Sequence, residues 1–206
     1  MQIGTAAGQA LADIDDVTGA TFLLVLTHGA GGGVRSADVL AARRAGLGLG
    51  AAVALVTQPY RVRGARAPGS AQRQDEAWLE VIAALRAGYP GVPLVQGGRS
   101  NGARVACRTA TAAGAAAVLA LAFPLHPPGK AGLPEYSRAG ELRAAGVPVL
   151  VVNGDRDPFG VPQAADAARV VVLEGETHAL SKSRDAITAA VRAWLGEVLS
   201  AVRQGA

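Results

Sequence analysis

Short apolar runs recur along this 206-residue chain, separated by longer stretches in which apolar positions return every three or four residues. The runs at 21–27, 51–57, 93–96, 116–122, 147–153 and 169–173 predict strands, and most are continuously apolar, as parallel strands buried on both faces should be. Their alternation with helical patterns predicts crossover units. The expected class is therefore α/β, with a mainly parallel central sheet and helices on both faces. Weaker segments at 2–5 and 9–13, around Gly8, predict an edge hairpin. Ser70 is placed to cap a helix in which Trp78, Ile82 and Leu85 share one face, with Gly88 and Pro90 stopping it. A terminal helix from about Ser183 presents Ile187, Val191, Trp194, Leu195 and Val198, with Gly205 near its end. No repeat or linker interrupts the pattern, so residues 1–206 read as one domain with little chain left for a lid.

Composition narrows the class further. Half of the residues are hydrophobic and 17% are charged, which excludes a disordered or solvating chain. One cysteine, Cys107, excludes a disulfide framework and any multi-cysteine metal site, and fits a reducing compartment, so the cytoplasm is expected. The first lysine or arginine is Arg35, which argues against a secretory leader. The longest apolar run, 115–125, contains Pro124 and falls short of the ~20 residues needed to cross a membrane. The net charge is +4, but the basic residues are spread along the chain and aromatic residues make up only 4%. A nucleic-acid partner is not expected from that pattern.

The segment Val92-Pro-Leu-Val-Gln-Gly-Gly-Arg-Ser-Asn-Gly102 carries the chemistry. An apolar strand runs into Gly98-Arg-Ser100-Asn-Gly102 and then into an alanine-rich helix, which is G-x-S-x-G in the setting where it acts. That strand-to-helix turn exposes the serine hydroxyl, and the helix N-terminus behind it favours developing negative charge. The bare motif arises by chance roughly 0.1 times in such a chain, so its surroundings must decide. His178, one of three histidines, follows the last strand in Glu174-Gly-Glu-Thr-His178. The preceding strand ends in Asn153-Gly-Asp155-Arg-Asp157-Pro158. The order Ser, Asp, His is the one this strand–elbow–helix fold uses, with Ser100 as nucleophile, His178 as base and Asp157 orienting the base. Asp157 is preferred to Asp155 because it lies further into the loop, where a side chain can turn back toward the histidine. A surface loop histidine and an ordinary glycine-rich turn are the bland alternatives.

Leu26-Thr-His28-Gly-Ala-Gly-Gly-Gly33 follows the strand at 21–27 and should form the oxyanion hole. The Ala30 amide, with Gly31 as the alternative, would join the Asn101 amide there. His28 reads as a brace for this loop. Gly29-Ala-Gly31 also opens like a dinucleotide fingerprint, but Val34 occupies the final glycine position and the next strand ends in Thr57-Gln58-Pro59 without an acid. Gly129-Lys130-Ala131 lacks the rest of a phosphate-binding loop. No cofactor and no metal are expected. Arg99, with Tyr60-Arg-Val-Arg63-Gly-Ala-Arg66 nearby, could receive an anionic substrate group, unless arginine is simply abundant. Cys107 lies two helical turns beyond Ser100 and is a poor nucleophile candidate.

Taken together, His28-Gly-Ala-Gly, Gly98-Arg-Ser-Asn-Gly, Phe123-Pro-Leu-His-Pro-Pro128, Gly154-Asp-Arg-Asp-Pro158 and Thr177-His178 resemble the small, lidless α/β-hydrolases distantly related to dienelactone hydrolases. That branch includes a testis-expressed protein and a subunit of a histone acetyltransferase complex. The resemblance implies the α/β-hydrolase fold over nearly the whole chain and carries Ser100, Asp157 and His178 as the triad. It also implies that the 123–128 loop, with His126, shapes the acyl or leaving-group site, whereas composition alone calls that loop a rigid connection. Serine stands where dienelactone hydrolases have cysteine, which argues against the dienelactone substrate itself. The function expected is hydrolysis of a small ester or thioester, the partner being a small-molecule substrate. The alternative is a non-catalytic binding module on the same fold.

Overall fold

The computed structural model describes residues 1–204. Strands β1 (Gln2–Thr5) and β2 (Gly8–Asp15) make the expected N-terminal hairpin, turning at Gly8. There follow β3 (Phe22–Thr27), α1 (Ala37–Leu47), β4 (Ala51–Thr57), α2 (Pro59–Val62), α3 (Ala71–Arg86), β5 (Leu94–Arg99) and α4 (Asn101–Ala113). The chain closes with β6 (Ala117–Leu121), α5 (Ala139–Arg143), β7 (Val149–Gly154), β8 (Arg169–Leu173) and α6 (Arg184–Gln204). The eight strands form one sheet in the order β1-β2-β4-β3-β5-β6-β7-β8. Only the β1–β2 and β2–β4 pairs are antiparallel; every other pair is parallel.

Alternate side chains of the central strands enter opposite layers, because successive residues of a strand point to opposite faces. Phe22, Leu24 and Leu26 of β3 pack with Val39 and Ala42 of α1 and with Ile187, Val191 and Trp194 of α6. Leu23 and Val25 pack on the other side with Trp78 and Ile82 of α3 and Val105 and Ala106 of α4. In that second layer the Trp78 indole donates to Gln96 Oε1 at 2.9 Å, and the Gln96 amide donates to Ala106 O and Thr109 Oγ1. The buried polar groups are thereby paired. The helix after Ser70 is capped as expected, the Ser70 hydroxyl accepting from the Arg73 amide at 3.3 Å.

Two differences from the sequence reading have physical causes. The strand expected at 93–96 runs on to Arg99, because Gly97 and Gly98 lie in the sheet where its neighbours come too close for a side chain. Helix α1 has no counterpart in the reading, since its buried face is built from Val39, Ala41, Ala42 and Ala45, small residues that contrast little with their surroundings. Gly205, expected after the terminal helix, lies outside the described residues. Among the described residues no helix is long and apolar enough to cross a membrane.

Candidate active site

The carboxyl ends of β3, β5, β7 and β8 deliver the chemical groups to one edge of the sheet, where ligands bind in sheets of this kind. Ser100 joins β5 to α4 with φ 53° and ψ −115°, a conformation that costs energy for any residue with a side chain. Its amide donates to Leu121 O of β6 at 2.9 Å, which pins the turn. The turn is possible only because glycine flanks it: a Cβ at Gly98 would lie 2.7 Å from Thr27 O, and one at Gly102 would lie 2.7 Å from His28 O.

The loop after β8 brings His178 over this serine, with Nε2 at 3.0 Å from Ser100 Oγ. On the other side of the ring, Nδ1 is 2.8 Å from Asp157 Oδ2. An ionised carboxylate can only accept, so Nδ1 carries the proton and Nε2 is left to accept from the serine hydroxyl. The Asp157 side chain is fully buried and is held by the Phe159 amide at 2.9 Å and the Asn153 amide group at 3.2 Å. Asn153 is in turn fixed by the Phe123 backbone through both ends of its amide. Asp155 is exposed and faces solvent two residues away. The arrangement can take a proton from Ser100 and store the resulting imidazolium charge beside a desolvated carboxylate.

The 28–33 loop passes directly against the serine: a Cβ at Gly29 would lie 3.1 Å from Ser100 Cβ. Among the described residues the amides of Ala30, of its alternative Gly31 and of Asn101 donate to no protein acceptor. His28 is fully buried, accepts at Nε2 from the Gln58 amide at 3.0 Å, and therefore donates from Nδ1 to Gly29 O at 2.8 Å. Burial lowers its pKa, the Gly29 carbonyl opposing and the Arg61 charge adding to the effect, which keeps the ring neutral. Tyr60, whose pKa burial pushes up to about 12, donates to Ala30 O at 3.3 Å and ties down the same loop.

The two residues expected to touch substrate are engaged by the protein itself. Arg99 Nε stands 3.0 Å from Asp38 Oδ2, an ion-pair contact without hydrogen-bond alignment, and Arg99 Nη2 donates to His178 O at 2.7 Å. His126 is buried with Nδ1 at 3.2 Å from Phe159 O, and its own amide donates to that carbonyl at 2.8 Å. Phe159 packs edge-on against the His178 ring at 4.5 Å between centroids, so His126 stands one residue behind the base.

Sequence reasoning missed Asp38, Asn153, Phe159 and Glu176. Asp38 had a signal, being the only acid between Asp16 and Asp75. Asn153 had one too, as the single amide closing an apolar strand. Glu176 is buried and accepts the amides of Ser181, Lys182 and Ser183, folding back the loop that carries His178. Burial raises its pKa, but those hydrogen bonds outweigh burial and leave it below its ordinary value. Among the described residues no group of three or more His, Cys, Asp or Glu side chains is placed to hold a metal.

Residues 20–191 match the α/β hydrolase domain family, and the chain belongs to it. Est1E from Butyrivibrio proteoclasticus, solved with ferulic acid bound, is 17% identical with a TM-score of 0.76, covering 97% of this chain and 99% of its own. An α/β serine hydrolase without a lid from Xanthomonas campestris is 21% identical with a TM-score of 0.71, covering 94% and 93%. A dienelactone hydrolase from Anabaena variabilis is 15% identical with a TM-score of 0.74, covering 96% and 95%. At these identities the likeness is one of fold, and it extends to a molecule without a lid. No curated protein matches the chain.

Proposed function

We propose that this chain is a serine hydrolase of the esterase or thioesterase type, acting on a small ester-like substrate through Ser100, His178 and Asp157. The observation that carries the reading is the unbroken hydrogen-bonded chain from Asp157 through His178 to Ser100. In the proposed reaction His178 Nε2 takes the serine proton as Oγ attacks the carbonyl carbon. The carbonyl oxygen becomes an oxyanion bound by the Ala30 and Asn101 amides. Collapse breaks the bond to the leaving group, which receives the proton from His178, and water then attacks the acyl-serine by the same path. Est1E binds ferulic acid, and a carboxylic acid is the class of product that ester hydrolysis releases. Within the family we assign the chain, on the motifs quoted above, to the small lidless branch that includes the testis-expressed protein and the acetyltransferase-complex subunit. We expect it in the cytoplasm.

Labelling with a fluorophosphonate, followed by intact mass, tests the reading. The wild-type chain should gain one adduct and Ser100→Ala none, while His178→Ala should label at least about 10³-fold more slowly. Asp157→Asn should slow labelling by a factor of about 10² to 10⁴, whereas Asp155→Asn should leave it unchanged. A folded wild-type chain that never labels would overturn the proposal and favour the binding module.

A further inference from the structure

Resting on the hydrolase reading, we propose that Arg99 is a positioning residue that, backed by the buried Asp38 carboxylate, fixes the distance between base and nucleophile by gripping the backbone of the base itself. Arg99 is joined to Ser100 by one peptide bond, and its Nη2 donates to the His178 carbonyl at 2.7 Å. The His178 ring returns to Ser100 Oγ at 3.0 Å. A closed ring results: the Arg99 backbone, its side chain, the His178 backbone, the His178 ring, the serine hydroxyl and back. Among the described residues, the only other hydrogen bond between the elbow after β5 and the loop after β8 is the one from His178 to Ser100, which has to form and break during turnover. With the arginine arm, the two loops are held together by a contact that the reaction does not consume.

Asp38 makes the grip possible. Its side chain is fully buried at the start of α1 and lies 3.0 Å from Arg99 Nε, while the arginine side chain is 18% exposed. A single cation bonded to the carbonyl of the base would oppose the imidazolium that forms in the reaction; the Asp38 carboxyl, whose pKa burial raises while the Arg99 charge pulls it down, offsets that cation in its ionised form. The guanidinium also approaches the 28–33 loop, since a Cβ at Gly32 would lie 4.0 Å from Arg99 Nη1. One guanidinium therefore touches the base loop and α1 and approaches the 28–33 loop, while being covalently next to the nucleophile.

Hydrolysis of p-nitrophenyl acetate by Arg99→Gln, Arg99→Lys, Asp38→Asn and the Asp38→Asn/Arg99→Gln double variant tests this role. A displacement of the base by about 1 Å is enough to cost roughly 10²-fold, so Arg99→Gln should lower kcat by roughly 10- to 100-fold with KM within about twofold. Arg99→Lys should recover part of that loss, because an ammonium can reach the carbonyl or the carboxylate but cannot span both as the planar fork does. The double variant should be no worse than Arg99→Gln alone. A raised KM with kcat intact would make Arg99 a substrate contact, and a lowered Tm with kcat intact would make it structural only; either result overturns the proposal. A second readout needs no turnover: the low-field proton NMR signal of His178 Nδ1–H should broaden or vanish in Arg99→Gln. Its persistence unchanged would also overturn the proposal, even if the wild-type chain failed to label with a fluorophosphonate and the hydrolase reading itself fell.

Discussion

Ser100 is held at φ 53° by the room that Gly98 and Gly102 leave and by its amide's hydrogen bond to Leu121 O, contacts that offset the cost of this backbone and keep its hydroxyl beside His178. Gly102→Ala measures how tightly the arrangement is built. A Cβ there would meet His28 O at 2.7 Å and Thr27 Cγ2 at 2.8 Å, so the oxyanion loop or α4 must shift. The cost should be about 1–3 kcal/mol, seen as a Tm lower by about 2–4 °C per kcal/mol, together with a loss of fluorophosphonate reactivity greater than the loss of folded protein. An unchanged Tm would mean that the backbone yields easily. Ser100, His178, Asp155 and Asp157 could be singled out as candidates because each lies just past the end of a strand. The roles of Asp38 and Glu176 were not: Asp38 stands out as a lone acid, but its partner Arg99 lies far along the chain, and Glu176 meets the amides of Ser181, Lys182 and Ser183 only through the local fold of its loop.

At the level of elements, Glu176 acts as the anchor for the turn entering α6. Its folded pKa lies below the ordinary value, so its contribution to stability is complete above that value and is lost as the pH falls through the depressed one. Glu176→Gln should cost about 1.5–3 kcal/mol near neutral pH, read by denaturant unfolding. It should also flatten the acid limb of the stability curve, because the variant has no carboxylate left to protonate there. An acid limb as steep as the wild type's would remove Glu176 from this role. Six of the strands could be read from apolar runs: five are buried on both faces almost throughout, while the edge strand β8, with Arg169 and Val172 exposed, was read from its run of valines. β5 was cut short by reading Gly97 and Gly98 as a turn, and α1 was passed over because alanine, glycine and arginine give a helix face little contrast.

Across the whole molecule, the sheet separates two apolar layers, with Trp78 in one and Trp194 in the other. Residues 1–206 were expected to form one domain, and the pair of tryptophans tests it directly. Single-tryptophan variants Trp78→Phe and Trp194→Phe should show unfolding midpoints by fluorescence that coincide with their own far-UV circular dichroism. Trp78→Phe should be less stable by about 1–3 kcal/mol, because it leaves Gln96 Oε1 buried without its donor. Midpoints that differ between fluorescence and circular dichroism would mean that the layers unfold separately. The fold's one cysteine, Cys107, is sealed inside α4 with its thiol pushed up chiefly by burial. A thiol-directed dye or spin label will therefore ignore the native chain, and a single cysteine introduced at exposed Tyr136 or Asp155 would carry the label alone. The molecule is thus ready for distance measurements between its loops without first removing a native thiol.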